Sequence, residues 1–341
     1  MAPKLVQFLF MAACLIASAY WAPAFKKLLI GWLYDGELSN MLVNSYAHGW
    51  LAFLDKETIV ELSKMPASFD WPMRIFVFAI EAGCLFLLWR RGYAVLLLTF
   101  LCFFHVGVFL LFGFLFWTWV LLNVAFLILL IRLPKQQSEK LFTPLNLVVA
   151  IVLVLSAKHW NSPAQLAWID SRLTYTYRYD AVGQSGELYQ IPFRYFEPYG
   201  DVFTMANFSY LVDNHNMLSN PYGSSNRERA DALQAVKSLN DVIALEKTAG
   251  WNSYNAERSD SYREFITRFV TNKNTDSSNI SFNWLQPPRQ FWSYGRGNVY
   301  ASQEPIRTLI VKEVTTLFDG ESLSEIRNIE VLRITIPIKE I

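Results

Sequence analysis

Cysteine is scarce and one-sided in this chain. Its 341 residues include only Cys14, Cys84 and Cys102, all in apolar runs of the first half. The second half has neither a disulfide nor a thiolate metal site to draw on. Histidine is thin as well: His48, His105, His159 and His215 carry no HExxH or HxxxH spacing, so no metal site is expected. Charged residues make up 17%, below the roughly one quarter of soluble domains. A net charge of +1 leaves no basic footprint for nucleic acid. There is no P-loop, GxGxxG or GxSxG, and Gly183-Gln184-Ser185-Gly186 has the wrong spacing for a nucleophile elbow.

Apolar residues are what the chain has instead, at 53%, and they crowd into the first half. A membrane span needs about twenty of them. Five stretches qualify: Leu5–Trp21, Met73–Trp89, Tyr93–Phe112, Gly113–Leu133 and Leu145–Trp160. Met41–Leu54 is apolar too, but Asn44, Ser45 and His48 interrupt it. Residues 25–54 therefore leave open a sixth span, a re-entrant piece or an interfacial helix. Lys56–Lys64 reads as a short amphipathic helix ended by Pro66. Ala17-Ser18-Ala19 resembles a signal-peptidase site, and retention as an anchor is favoured over cleavage.

Arg90-Arg91, and Arg132 with Lys135 and Lys140, fall in short loops that the positive-inside rule assigns to the cytoplasm. Everything after Trp160 is then outside, with Trp117, Trp119 and Trp160 in an outer aromatic belt and Trp89 on the inner side. The expected architecture is a membrane all-α bundle over residues 1–160, followed by an extracytoplasmic α+β domain over 161–341. The expected location is a bacterial inner membrane. In the second half, Leu173–Val182 and Glu187–Ile191 alternate as strands. Arg227–Ala249 and Asp260–Thr271 have helical spacing. Thr308–Phe318 and Ile329–Ile338 form a strand pair around Asp319-Gly320, with Leu332, Ile334, Ile336 and Ile338 on one face.

Three polar groups sit where lipid would not tolerate them: Glu81, His105 and Asn123. Counted from the outer ends of their spans, they lie at depths of about 10–15 Å. They could therefore meet in one layer. A carboxylate in hydrocarbon must be protonated or paired, and His105 is its expected partner. Three readings compete: hydrogen-bonded glue between helices, a ligand or proton-handling site, and a misplaced helix boundary; for Asn123 alone, glue is the better one. His48 reads as interfacial, His159 and His215 as structural. Asn207-Phe208-Ser209 and Asn279-Ile280-Ser281 are glycosylation sequons whose relevance depends on a eukaryotic source.

The stretch Phe103-Phe104-His105, with Gly107, then the aromatic turn through Trp117 and Trp119, resembles the vitamin K-dependent gamma-carboxylase superfamily. That superfamily includes the horizontally transferred transmembrane (HTTM) domain proteins. Ile80-Glu81-Ala82-Gly83 is similar to their Glu-containing span and to that of DoxX-like membrane proteins. The resemblance covers roughly residues 40–135. It implies a bundle that takes a lipid-soluble ligand such as a quinone near Glu81 and His105. The carboxylase's lysine base has no counterpart in Gly49–Asp55; Lys56 follows at once but opens another helix, which leaves it a weak catalytic candidate. Two further readings remain. One is a structural or accessory subunit that docks a membrane partner through aromatic loops at Phe193–Tyr199 and Phe291–Tyr294. The other is an outer-face enzyme using Lys56.

Overall fold

The apolar run at the start of the chain folds as one long helix, α1 (Ala2–Leu29). It is followed by a single turn of helix, α2 (Trp32–Asp35). The computed structural model describes residues 2–35, 37–160, 172–197, 199, 211–214, 227–249, 253–275, 289–290 and 297–337. The chain divides into two units. The first comprises Met1–Gly36, Phe69–Leu166 and Ser225–Arg227; the second comprises Glu37–Ser68, Ala167–Ser224 and Glu228–Ile341.

Among the described residues two helices are long and apolar enough to cross a membrane, both in the first unit, Lys4–Leu29 and α6 (Arg91–Phe112). At 1.5 Å per residue they reach about 39 and 33 Å, more than the ~30 Å of a hydrocarbon core. The other expected spans are shorter or broken. Met73–Trp89 becomes α5 (Asp70–Gly83) and a 3-10 turn at Cys84–Phe86, which ends before Trp89. Gly113–Leu133 becomes α7 (Trp117–Arg132), whose sixteen residues cover only about 24 Å. Gly113, with φ at 72°, closes α6 in the left-handed conformation that glycine adopts without strain. Leu145–Trp160 contributes α9 (Pro144–Leu155), which follows the polar helix α8 (Lys135–Leu141) at a bend of 50°. If that bent pair is one span, the total is three. The apolar runs overstate helix length because the helices stop inside them, at the 3-10 turn Cys84–Phe86, across Gly113–Phe116 and at Ser156.

The core of this unit gathers on α1. Ala13, Ala17, Leu9, Ile16 and Tyr20 are buried against Ile80, Cys84, Leu98, Leu101, Phe126 and Leu130. Alanines at 13, 17 and 24 are small enough to let neighbouring helices approach closely.

The second unit is built on a four-stranded antiparallel sheet with order β2-β1-β3-β4, where β1 is Leu173–Gly183, β2 Leu188–Gln190, β3 Ile306–Phe318 and β4 Leu323–Thr335. Strands β3 and β4 meet at a turn where Gly320 has φ of 101°. Two register shifts, opposite Val311/Lys312 and Thr315/Thr316 of β3, each leave one extra residue on β4, Val331 and Ile326. One sheet face buries Tyr179, Ala181, Leu309, Val311, Leu332 and Ile334 with Ile266 and Val270. The latter two lie on α12 (Ala256–Thr275). The expected helix over Arg227–Ala249 is two, α10 (Arg227–Gln234) and α11 (Leu239–Ala249). Ser238 breaks it: its hydroxyl and the Lys237 amide both bond Asp241, the arrangement of a helix start.

Of the residues 25–54 that left a sixth span open, those from Glu37 onward belong to this second unit. They form α3 (Leu38–Ala47), and α4 (Lys56–Ala67) follows in the same unit. Leu42, Val43 and Tyr46 pack with Ile59 and Val60 and, from the sheet, Phe318 and Leu323. Glu37 receives the Arg172 guanidinium at 3.0 Å, and Asn40 donates to Gln234 at 3.3 Å. The boundary expected at residue 160 thus leaves out one early piece: residues 37–68 cluster with the later ones. A ten-residue helix whose polar side chains Asn40, Asn44 and Ser45, with the capping His48, are buried along with its apolar ones suits a protein interior better than lipid.

Candidate functional site

Glu81, His105 and Asn123 are all buried in the first unit, at 3%, 7% and 0% exposure. They do not meet one another directly. Each finds its partner on α1, in one of two groups spaced seven residues apart. Seven residues is close to two helical turns, so both groups lie on one face and about 10 Å apart along the axis.

The first group centres on Tyr20. Its hydroxyl lies 2.6 Å from His105 Nε2 and 2.7 Å from Asn123 Nδ2. The rings of Phe104 and Phe116 flank the imidazole, each with its centroid 5.3 Å away. Trp119 packs edge-on against Tyr20. Two polar atoms of this group, His105 Nδ1 and Asn123 Oδ1, are buried without a hydrogen-bond partner, as is Trp117 Nε1 beside Phe116.

The second group is an ion pair. Lys27 Nζ donates to Glu81 Oε2 at 2.5 Å, with the two side chains 3% and 4% exposed. The Lys27 ammonium also lies over the Trp32 ring, 5.0 Å from its centroid. The expected pairing of Glu81 with His105 is therefore replaced by a lysine, and no carboxylate bonds the imidazole. A carboxylate in an apolar bundle is tolerable only with such a counter-charge. Farther along the same stripe of α5, Arg74 binds Asp70 at 2.6 Å and donates to the carbonyls of Trp32 and Leu33 at 3.0 and 2.8 Å. It thereby ties α2 to α5.

Tyr20 and Lys27 are the two site residues that the sequence reading missed. Both lie in seven-residue steps from Ala13 along α1, a spacing that marks a shared helix face and not a polar site. Lys27 lies beyond the expected span Leu5–Trp21, which the structure extends to Leu29.

The remaining candidates lie elsewhere. Lys56 is an exposed residue of the second unit, 4.0 Å from Glu57 and with no buried acid or base bonded to it. His48 ends α3 and is buried at 2% exposure, which differs from an interfacial position. Burial, with the Arg178 cation nearby, pushes its imidazole down to about 3, so it is neutral. His159 is exposed. Phe193 and Phe196 are core residues rather than a docking loop, while Tyr199 is 44% exposed and packs on Phe265 and Phe269. His215, Phe291–Tyr294, Ile338 and the sequons at Asn207 and Asn279 lie outside the described residues.

One other buried polar cluster sits in the second unit. Tyr177 and Tyr254 both donate to the buried Glu313 carboxylate, and their hydroxyls are 3.0 Å apart. Burial first, then neighbouring phenol and carboxylate, hold the Tyr254 phenol far above its usual range. The cluster fastens β1 and β3 to the short strand at Ser253–Tyr254. Among the described residues no group of three or more His, Cys, Asp and Glu side chains is placed to hold a metal.

No family model matches the chain, and comparison with curated proteins and with solved structures gives no match either.

Proposed function

We propose that this is an integral membrane protein whose helical unit binds a lipid-soluble ligand, such as a quinone, beside His105, Asn123 and Glu81, with its second unit on the extracytoplasmic side of a bacterial inner membrane. The observation that carries the reading is the set of polar atoms left unmet around Tyr20. Helix-to-helix glue would satisfy its own groups, because an unpaired buried donor or acceptor costs about 1–3 kcal/mol. Here Asn123 bonds Tyr20 and acts as glue on one side, yet its Oδ1 and the Nδ1 of His105 face no protein partner. The resemblance of Phe103–Trp119 and Ile80–Gly83 to the gamma-carboxylase and HTTM proteins supports the same reading. Carboxylation chemistry gains nothing from Lys56, which is exposed and lacks an oriented partner.

The test is extraction of quinone from the purified protein. His105→Ala and Glu81→Gln should each lose most of the co-purifying ligand while keeping the elution profile of the parent. Full retention in both folded variants would end the proposal.

A second reading, an accessory subunit that docks through the second unit, is favoured by the exposed Tyr199 beside the partly exposed Phe265. Tyr199→Asp should then release a membrane-protein partner in a pull-down from solubilised membranes. An unchanged set of captured proteins would count against docking at this patch.

A further inference from the structure

The hydrogen bonds at Tyr20 have a direction. Asn123 Nδ2 can only donate, so at 2.7 Å the phenol oxygen accepts from it. Tyr20 has one proton left to give, and His105 Nε2 stands 2.6 Å away. A nitrogen that accepts carries no proton, which puts the imidazole proton on Nδ1. The reverse arrangement, with Nε2–H donating to Tyr20, leaves the phenol proton without an acceptor and the Nδ1 lone pair without a donor. Turning the Asn123 amide would meet the phenol proton but strand both amide protons. Each arrangement strands two protons, but the first, with the Asn123 amide as placed, strands one acceptor, Asn123 Oδ1, where the reverse strands Nδ1 as well, and burial penalises each unmet group.

We infer that Tyr20 is a positioning residue that holds His105 as its Nδ1–H tautomer, and that this N–H reads a carbonyl oxygen of an uncharged, lipid-soluble ligand. The inference rests on the ligand-site reading above. Three observations support it beyond the tautomer itself. Nδ1 is buried and has no acceptor. The imidazole has no carboxylate bonded to it, since Glu81 is engaged by Lys27, so nothing there favours a charged ligand or a charged ring. Its flanks are Phe104 and Phe116, which offer a flat apolar ligand faces to lie against. Trp117 Nε1–H, next in sequence to Phe116, is a second unmet donor, and Asn123 Oδ1 is an acceptor for a hydroxyl on the same molecule.

The experiment is nitrogen-15 NMR of the full chain, labelled at histidine, in lipid nanodiscs. His105 is assigned by the resonance lost in His105→Gln. The probes are a decyl-substituted benzoquinone and decylbenzene, which share a tail and differ in the carbonyls. The expected result is a single Nδ1–H tautomer in the parent and a tautomer mixture in Tyr20→Phe. The quinone should move the His105 Nδ1 resonance and bind about tenfold more weakly to Tyr20→Phe, as loss of one oriented hydrogen bond implies; decylbenzene should move nothing. An Nε2–H tautomer in the parent, seen without any variant or ligand, overturns the inference. Saturable quinone binding that leaves Nδ1 unmoved also overturns it, while the broader ligand-binding reading stands. No saturable quinone binding at all overturns both.

Discussion

At the scale of single residues, the Lys27–Glu81 pair sets the stakes. Two charges at 3–4% side-chain exposure are tolerable only together. Lys27→Met alone should cost about 3–5 kcal/mol, because Glu81 is left buried and uncompensated. The double variant Lys27→Met/Glu81→Leu should recover most of that loss, read as thermal unfolding in nanodiscs. His48 gives a pH dependence of definite sign. Its folded value of about 3 lies below the usual 6.5, so the unfolded chain binds the extra proton between them. Stability contributed by neutral His48 is whole above about pH 6.5 and is lost as pH falls toward 3, at roughly 1.4 kcal/mol per unit. His48→Gln should flatten that limb of a denaturation series; an identical slope would show that the imidazole does not titrate this way. Residues of this kind were unevenly legible in the sequence. Glu81, His105 and Asn123 announced themselves as polar groups inside apolar runs. Tyr20 did not, because tyrosine is ordinary within a membrane helix. Which imidazole or carboxylate pairs with which group depends on helix rotation, which spacing along separate helices does not encode.

At the scale of elements, strands were read more accurately than helices. The strands expected at Leu173–Val182 and Thr308–Phe318, marked by the turns that follow them, are observed with changes only at their ends, although both bury residues on both faces. Apolar helices carry no such internal mark, so their ends followed from glycine, proline and charge and were placed too far out. The β1–β2 hairpin shows how one backbone position governs an element. Glu304 accepts from the Ser185 amide and hydroxyl and from the Tyr189 hydroxyl, each at 2.6 Å. These bonds hold its carboxyl below the usual range, the Ser185 hydroxyl foremost. A Cβ at Gly183 would land on that carboxylate. Gly183→Ala should therefore swing the flexible Glu304 side chain off Ser185 and Tyr189, losing the bonds that hold the hairpin. Adding Glu304→Ala should relieve the clash, making the double variant less damaged than the sum of the singles in urea unfolding.

At the scale of the whole molecule, the second unit is assembled from distant stretches of chain. Without residues 37–68, the sheet residues Phe318 and Leu323 lose their cover of Leu42, Val43, Tyr46, Ile59 and Val60. A fragment of residues 167–341 alone should bind hydrophobic dye and show no cooperative melt. The same fragment fused to residues 37–68 through a flexible linker should melt cooperatively by circular dichroism. Equal cooperativity in the two would mean that α3 and α4 contribute no core. Composition suggested a single boundary because it changes most sharply after Trp160; it gave no sign that an early helical hairpin belongs to a late sheet.

That interleaving has a consequence during synthesis. The ribosome emits α3 and α4 on the order of 250 residues before Phe318 and Leu323 exist, which at 5–20 residues per second is a wait of tens of seconds. Throughout that interval the newborn hairpin shows its oily side to whatever surrounds it. A chaperone or the insertion machinery must shelter it until the last strands arrive, and slowing translation beyond Trp160 should raise the fraction of chains lost to proteolysis.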